Sequence, residues 1–463
     1  MIPRDRPAHL DASGRVDGSG SSPSQVHGFM GLKAGLFSSL CLAIPLMVSG
    51  CAATFSPTPV DEVPFKSRAQ IQSRGGLTVT VAVPTSEEAN AIYGVDLASK
   101  EIQPVWIEVE NAEETAYWLL PSGLDPAYFS AAEAGYAFAS SQSANNGRLI
   151  GEHFQRLQLE NPIFPGTTAS GFLIVNRDEG YKAVDIDLIS REDAASFTYI
   201  VPDPSFKGDY RLVDFYTLYP SEEITHLQDE DALRHAIEVL PCCTTNKDGS
   251  EQGDPLNLVL IGDSNDILPA FIRRSWHGTE IIWSESLWRT VTSFVQGSRY
   301  RYSPVSPLYV FGRRQDLAAQ KARGTIHERN HLRLWLTPLR FRGEPIWIGQ
   351  ISRDIGVKFT LKSPTISTHV IDPDVDEARR YLVEDLAYSQ ALAILGYAKG
   401  VGAVGENAPQ ENLVGDPWFT DGLRAVMFFE PRPRALSDLE FLQWQTPPPA
   451  GASAKQGLAD SPQ

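Results

Sequence analysis

The sequence predicts an α+β protein: an antiparallel β-sandwich-like domain over residues 76–205, followed by a mixed α/β domain over 254–435. Three observations carry this expectation. Through the first region run short stretches that favour extended backbone, several alternating apolar with polar residues. In the second, strand-like apolar runs are interleaved with helical periodicity. Hydrophobic residues form 42% of the 463 and aromatics 10%, so two or three domains can each bury a core.

The N-terminus carries an address. Residues 1–29 are polar and suit no export signal, so translation is expected to start at Met30. "MGLKAGLFSSLCLAIPLMVSGC" (30–51) then places a charge at Lys33, an apolar run from Leu36 to Val48, and small residues before Cys51. That is the layout of a secretory signal, too short for a stable membrane span. Val48-Ser49-Gly50-Cys51 is similar to a bacterial lipobox, which implies a diacylated thiol on Cys51 and a membrane partner through that anchor. Two acyl chains hold firmly, since each buried methylene contributes about 0.8 kcal/mol. Ala52, rather than Asp, implies onward transport to the outer membrane, facing the periplasm. Residues 51–75 read as a tether, and 436–463, ending in "QTPPPAGASAKQGLADSPQ", as a disordered tail.

In the first domain the strand candidates are "LTVTVAVP", "PVWIEVEN", "AYWLLP", "SGFLIVNR", "KAVDIDLIS" and "FTYIVPD", with a helical insertion near 130–158. Residues 206–253 read as a connector with one helix, "DEDALRHAIEVL", stopped by Pro241. Within it, adjacent Cys242 and Cys243 are a disulfide candidate in an oxidising compartment and lack the spacing of a redox or zinc motif. The second domain offers a buried strand at "LNLVLIG", helices near 265–276 and 284–296, and alternating strands at "HLRLWLTPLRF" and "PIWIGQISRDIGVKF" around an Arg342-Gly343-Glu344 turn. A long helix is expected from about 375 to Gly400, and a final strand at "RAVMFFE".

Two motifs invite catalytic readings that their contexts oppose. His327-Glu328-Arg329-Asn330-His331 is a literal H-E-x-x-H, but the residues after His331 alternate like a strand. On a strand the two histidines lie about 13 Å apart. A zinc ion with bonds of about 2 Å needs them one helical turn apart. Gly262-Asp263-Ser264 after a buried strand is similar to the first block of GDSL-type esterases, with Ser264 as nucleophile. The late Asp-x-x-His pair of that family is absent, so a helix cap is the plainer role.

"GDPLNLVLIGD", "SPVSPLYVFGRRQDLAAQKARGTIHERNHLRLWL", "PIWIGQISRDIG", "THVIDPDVDEARRYLVEDL" and "FTDGLR" together make residues 254–424 resemble the LssY C-terminal-domain family of bacterial envelope proteins. Some relatives join this domain to a membrane phosphatase of the lipid-phosphate type, which implies an envelope lipid or phosphate setting. No multispan phosphatase is present in this chain, so the resemblance does not carry that activity over.

Charge singles out the same region. Residues 270–362 hold 16 Lys and Arg against 6 Asp and Glu, in a chain of formal net charge −17. A basic segment on an acidic protein suits an anionic lipid or saccharide, through Arg313, Arg314, Arg333 and Arg353, whereas nucleic acid would be repelled by the remainder. His331, Asp354, His369, Asp372 and Asp376 would form a metal-binding or acid–base group if the sheet gathered them; no spacing assigns a metal or an organic cofactor. Two classes therefore stay open. One is an anchored binding or scaffolding module, the other a periplasmic hydrolase of phosphate or glycosidic esters using a site within 331–376.

Overall fold

The computed structural model describes residues 55–178, 181–202, 215, 217–278, 307–322, 329–359 and 367–449. The signal and lipobox, the helix expected at 284–296, and His327 lie outside the described residues. Within them the chain is α+β. No described helix is long and apolar enough to cross a membrane.

The first domain is two antiparallel sheets face to face. β1 (Gln70–Arg74), β2 (Leu77–Ala82) and β3 (Ile102–Asn111) join β5 (Thr167–Asn176), in the order β1-β2-β3-β5. β4 (Trp118–Leu119), β6 (Tyr181–Ile189) and β7 (Ala194–Pro202) form the second sheet, in the order β4-β6-β7. Alternate side chains point into the space between: Val79, Val81, Ile107 and Val109 meet Val184, Ile186, Leu188 and Phe197. The buried Tyr199 hydroxyl donates across it to the Val79 carbonyl at 2.7 Å.

On the outer face of the first sheet, Trp106, Phe172 and Ile174 are covered by α1 (Ser86–Tyr93), α3 (Ala131–Ala139) and α4 (Ala144–Arg156); a short α2 spans Pro121–Leu124. Residues 55–74 depart from the expected tether. Phe65 is fully buried against Trp106 and Phe172, and residues 70–74 make the edge strand β1. Two apolar anchors, Val63 and Phe65, outweigh the polar composition around them.

The second domain is built on one mixed sheet. In chain order its elements begin with β8 (Thr225–Leu227), α5 (Glu230–Glu238), β9 (Cys243–Thr245), β10 (Gln252–Pro255), β11 (Leu258–Ile261), α6 (Ser264–Arg273) and β12 (His277–Gly278). They continue with β13 (Tyr309–Val310), β14 (Arg313–Arg314), β15 (Leu317–Ala322), β16 (Arg329–Phe341), β17 (Glu344–Phe359), β18 (Ser367–Ile371) and α7 (Val375–Ala387). β19 (Leu392–Lys399), β20 (Gln410–Glu411), β21 (Pro417–Trp418), β22 (Leu423–Phe429) and β23 (Glu440–Phe441) complete the set.

The large sheet runs β12-β15-β16-β17-β11-β22-β19-β23, with β8 beside β16 and β18 beside β17. Its centre is the β16–β17 hairpin, where Arg342 and Gly343 both take positive φ (50° and 95°), as a tight primed turn demands. Leu258, Leu260, Leu332, Leu334, Leu336 and Ile351 share one face, sealed by Ile267 and Phe271 of α6 and by Ala378, Leu382 and Leu386 of α7. The other face is apolar at one end, under Leu233 and Ile237 of α5, and polar at the other.

Three expectations change here. The helix expected to reach Gly400 stops after Ala387, and residues 392–399 form β19, paired with β22. A left-handed Gln390 (φ 61°) breaks the helical path, and a sheet edge is waiting for the next apolar run. The stretch 206–253 is no free connector in its described part, since β8, α5 and β9 all pack into the second domain. Residues 436–449 are placed rather than disordered: β23 pairs with β19, and Leu442 and Trp444 join the α5 cluster.

The two domains meet through buried ion pairs. Arg273 of α6 bonds Asp185 Oδ1 at 3.2 Å and Thr198 Oγ1 at 3.1 Å, while Arg432 contacts Asp185 and Asp187. Gly400 supplies the sharpest test of the second domain's packing. Its φ is +140°, and an added Cβ would stand 2.7 Å from the guanidinium of the fully buried Arg424. Gly400→Ala is expected to cost about 2 kcal/mol or more, read as a lower urea midpoint with unchanged m-value.

Candidate functional site

β16 is buried on both faces, so its alternation separates two chemistries. Leu332, Leu334 and Leu336 enter the core, and Arg329, His331 and Arg333 line the opposite side. The register sets polar neighbours across from them. Gln320 and Ser352 stand opposite His331, and Gln350 opposite Arg333. His331 Nε2 lies 2.5 Å from Asp354 Oδ2, with Arg329 Nε 3.7 Å from the same oxygen. Arg329 Nη1 donates to Gln320 Oε1 and Arg333 Nη1 to Gln350 Oε1, both at 2.9 Å. All of these side chains are buried, with Arg329 at 3%, His331 at 7% and Arg333 at 8% exposure.

Burial dominates the electrostatics. It pulls the His331 imidazole below its ordinary range; Asp354 opposes this and Arg329 reinforces it. The ring is therefore neutral at pH 7 and holds a proton on one nitrogen only. Asp254, on β10 above this face, is pushed upward by burial and restrained by the charge of Arg333.

The other expected site residues do not join this group. Asp376 sits at the start of α7, on the leucine side of the sheet, where it accepts from Thr420 Oγ1 and the Asp421 amide, each at 2.7 Å. Arg379 braces the same turn through a bidentate pair with Asp421, at 2.9 and 2.6 Å. Asp376 is thus a structural anchor, and so is Asp372, which accepts from the Asp374 amide in the turn ahead of the helix. The backbone of His369, on β18, pairs with Val357 of β17; its side chain lies outside the described residues. Among the described residues no three His, Cys, Asp or Glu side chains are placed to share a metal ion.

The expected anion ligands also divide. Arg353 belongs to the leucine face, with Nε on Asn330 Oδ1 (3.2 Å) and its guanidinium over the Tyr381 ring, so it does not share a groove with Arg333. Arg313 is engaged by Asp316, Tyr219 Oη and the Leu336 carbonyl, and Arg314 is half-buried beside it on β14. Cys242 and Cys243 are joined to each other in a disulfide. His331 lies on a strand rather than a helix, which removes the zinc-protease geometry. Asp263 caps α6 by accepting from the Asn265 amide at 2.8 Å, and Ser264 opens that helix.

Arg329, Gln320, Gln350, Ser352 and Asp254 were not anticipated from the sequence. Arg329 was legible in principle: Arg-x-His-x-Arg has the two-residue period of one strand face. The other four become neighbours only through pairing across strands.

His331 makes stability depend on pH. Its folded pKa lies below the unfolded value of about 6.5, so the unfolded chain binds more protons. The contribution is complete above that value and is lost as pH falls through the folded pKa. The urea midpoint is expected to drop from pH 7 to pH 5, less steeply in His331→Gln. His331→Leu, which strips Asp354 of a buried partner, is expected to cost about 3 kcal/mol at pH 7.

Residues 236–423 match the family model described as LssY C-terminus, a segment that contains β16, β17 and α7. Neither the curated proteins nor the solved structures provide a match to this chain. The similarity to the LssY C-terminus family covers residues 236–423, less than half of the chain.

Proposed function

We propose that this protein is an envelope lipoprotein, held in the outer membrane through Cys51 and facing the periplasm, whose second domain binds an anionic ligand. The observation that carries the reading is the pair of buried guanidiniums, Arg329 and Arg333, two residues to either side of a neutral His331 on one strand face. Buried arginines with planar donor forks suit phosphate or carboxylate oxygens. The separation of His331 and Asp354 from Asp372 and Asp376 favours binding over the acid–base hydrolysis that a single gathered cluster would suit.

The anchor and the site are tested separately. Cells fed labelled palmitate are expected to label the wild type and not Cys51→Ala; an unlabelled wild type removes the lipoprotein part of the reading. Saturating inorganic phosphate is expected to stabilise the protein by about 2 kcal/mol or more, read as a rise in Tm. That rise should vanish in Arg333→Gln. No rise in the wild type, or release of phosphate from an ester panel that His331→Gln abolishes, would replace binding with another activity.

A further inference from the structure

Next to the cationic strand lies a second set of buried polar groups. Asn412 Oδ1 accepts from the Val414 and Asp416 amides at 3.1 and 2.9 Å, which fixes the orientation of its amide. Its Nδ2 consequently faces Asp254 Oδ1, at 3.2 Å. Leu256 and Leu413, close to this pair in the chain, pack on Trp335 and Ile348. Those two lie two residues along β16 and β17 from Arg333 and Gln350, so the acid–amide pair borders the anion site, and Asp254 feels the charge of Arg333. Gln350 stands opposite Arg333 on β17. It is fully buried and gives its Oε1 to Arg333, while Nε2 has no hydrogen-bond partner among the described residues. A buried N–H left unmatched costs about 1–3 kcal/mol, which a ligand oxygen at this point would recover. Arg333 and Asp254 each keep 8% of their surface exposed.

The two sets ask for different ends of one molecule. Guanidiniums and a neutral imidazole suit a phosphate. An acid–amide pair beside an unmatched amide donor suits groups that both donate and accept, which are hydroxyls. A second anion there would face Asp254 and Asp416, and a cation would face Arg329 and Arg333.

We infer that the ligand is a phosphate ester of a polyol, with its phosphate against Arg329, His331 and Arg333 and its hydroxyls reaching Gln350, Asp254 and Asn412. This rests on the anion-binding reading above and adds the identity of the esterified group. A glycerophosphate lipid headgroup and a soluble sugar or glycerol phosphate share that chemistry.

The test uses the full chain in phosphatidylcholine vesicles, titrated with inorganic phosphate, glycerol 3-phosphate and glycerol. Glycerol 3-phosphate is expected to bind at least about tenfold tighter than inorganic phosphate. Gln350→Met and Asp254→Asn are each expected to cut that ratio below about threefold, the two phosphates being compared within each variant. If either variant fails to fold, the wild-type ratio decides. Equal affinity for the two phosphates overturns the polyol assignment and leaves the anion site standing. Binding of neither overturns both. With the preference present, competition by added phosphatidylglycerol assigns the lipid headgroup, and its absence assigns the soluble ester.

Discussion

The second domain depends on one buried cation. Arg424, on β22, is fully buried, yet its contacts are all main-chain carbonyls: Leu256 at 3.0 Å, Leu240 at 3.0 Å, Pro241 at 2.5 Å, Gly400 at 3.0 Å, and Ile237. Ile237 lies in the last turn of α5, where a helix leaves carbonyls unsatisfied and its dipole is negative, and Leu240 and Pro241 follow just after it. The guanidinium supplies the missing donors in a planar fork that a lysine could not match. Desolvation lowers its pKa only to about 10, so it stays charged at neutral pH. One side chain thereby fixes α5, the entry to β11 and the exit of β19 against the central strand. It also explains why the chain needs glycine at position 400, where no side chain fits beside the guanidinium.

The same device recurs, and it changes the meaning of the basic composition of 270–362. Arg313 is spent on Asp316, Tyr219 and a carbonyl, and Arg273 on the first domain. Arg274 and Lys321 converge on Asp385, which also accepts from Trp276 Nε1. These cations are internal braces rather than a surface awaiting a partner. Arg329 and Arg333 are engaged as well, by Asp354 and Gln320 and by Gln350, but in a different setting. They share one strand face with a neutral histidine and carboxamides, away from the leucine core, which is why the functional reading rests on them.

β16 also decides which chemistry is available. Side chains alternate across a strand and both faces of β16 are buried, so residues one position apart in sequence enter different buried surroundings. His331 and Asp354 meet on the polar side. Asp376 begins a helix packed on the apolar side and holds the turn before β22. A carboxylate that accepts a hydroxyl and an amide while facing Arg379 has a structural assignment already.

The sequence alone determined the α+β class, the principal strands of the first domain, β11, β16, β17 and β22 of the second, the Arg342-Gly343 hairpin and the family resemblance, because strand alternation and turn chemistry are local. It also placed His331 and Arg333 on one face, since a period of two needs no partner strand. Only the tertiary structure decided what those residues meet. Asp354, Gln350 and Ser352 reach the β16 face through antiparallel register, and Asp254 through the strand laid over it. Residues 392–399 read as a continuation of a helix because Ala and Leu tolerate either backbone; a waiting edge on β22 made them a strand. Arg424 looked like an ordinary strand arginine. Its role depends on carbonyls between 24 and 187 positions away in the chain, a proximity that no local pattern encodes.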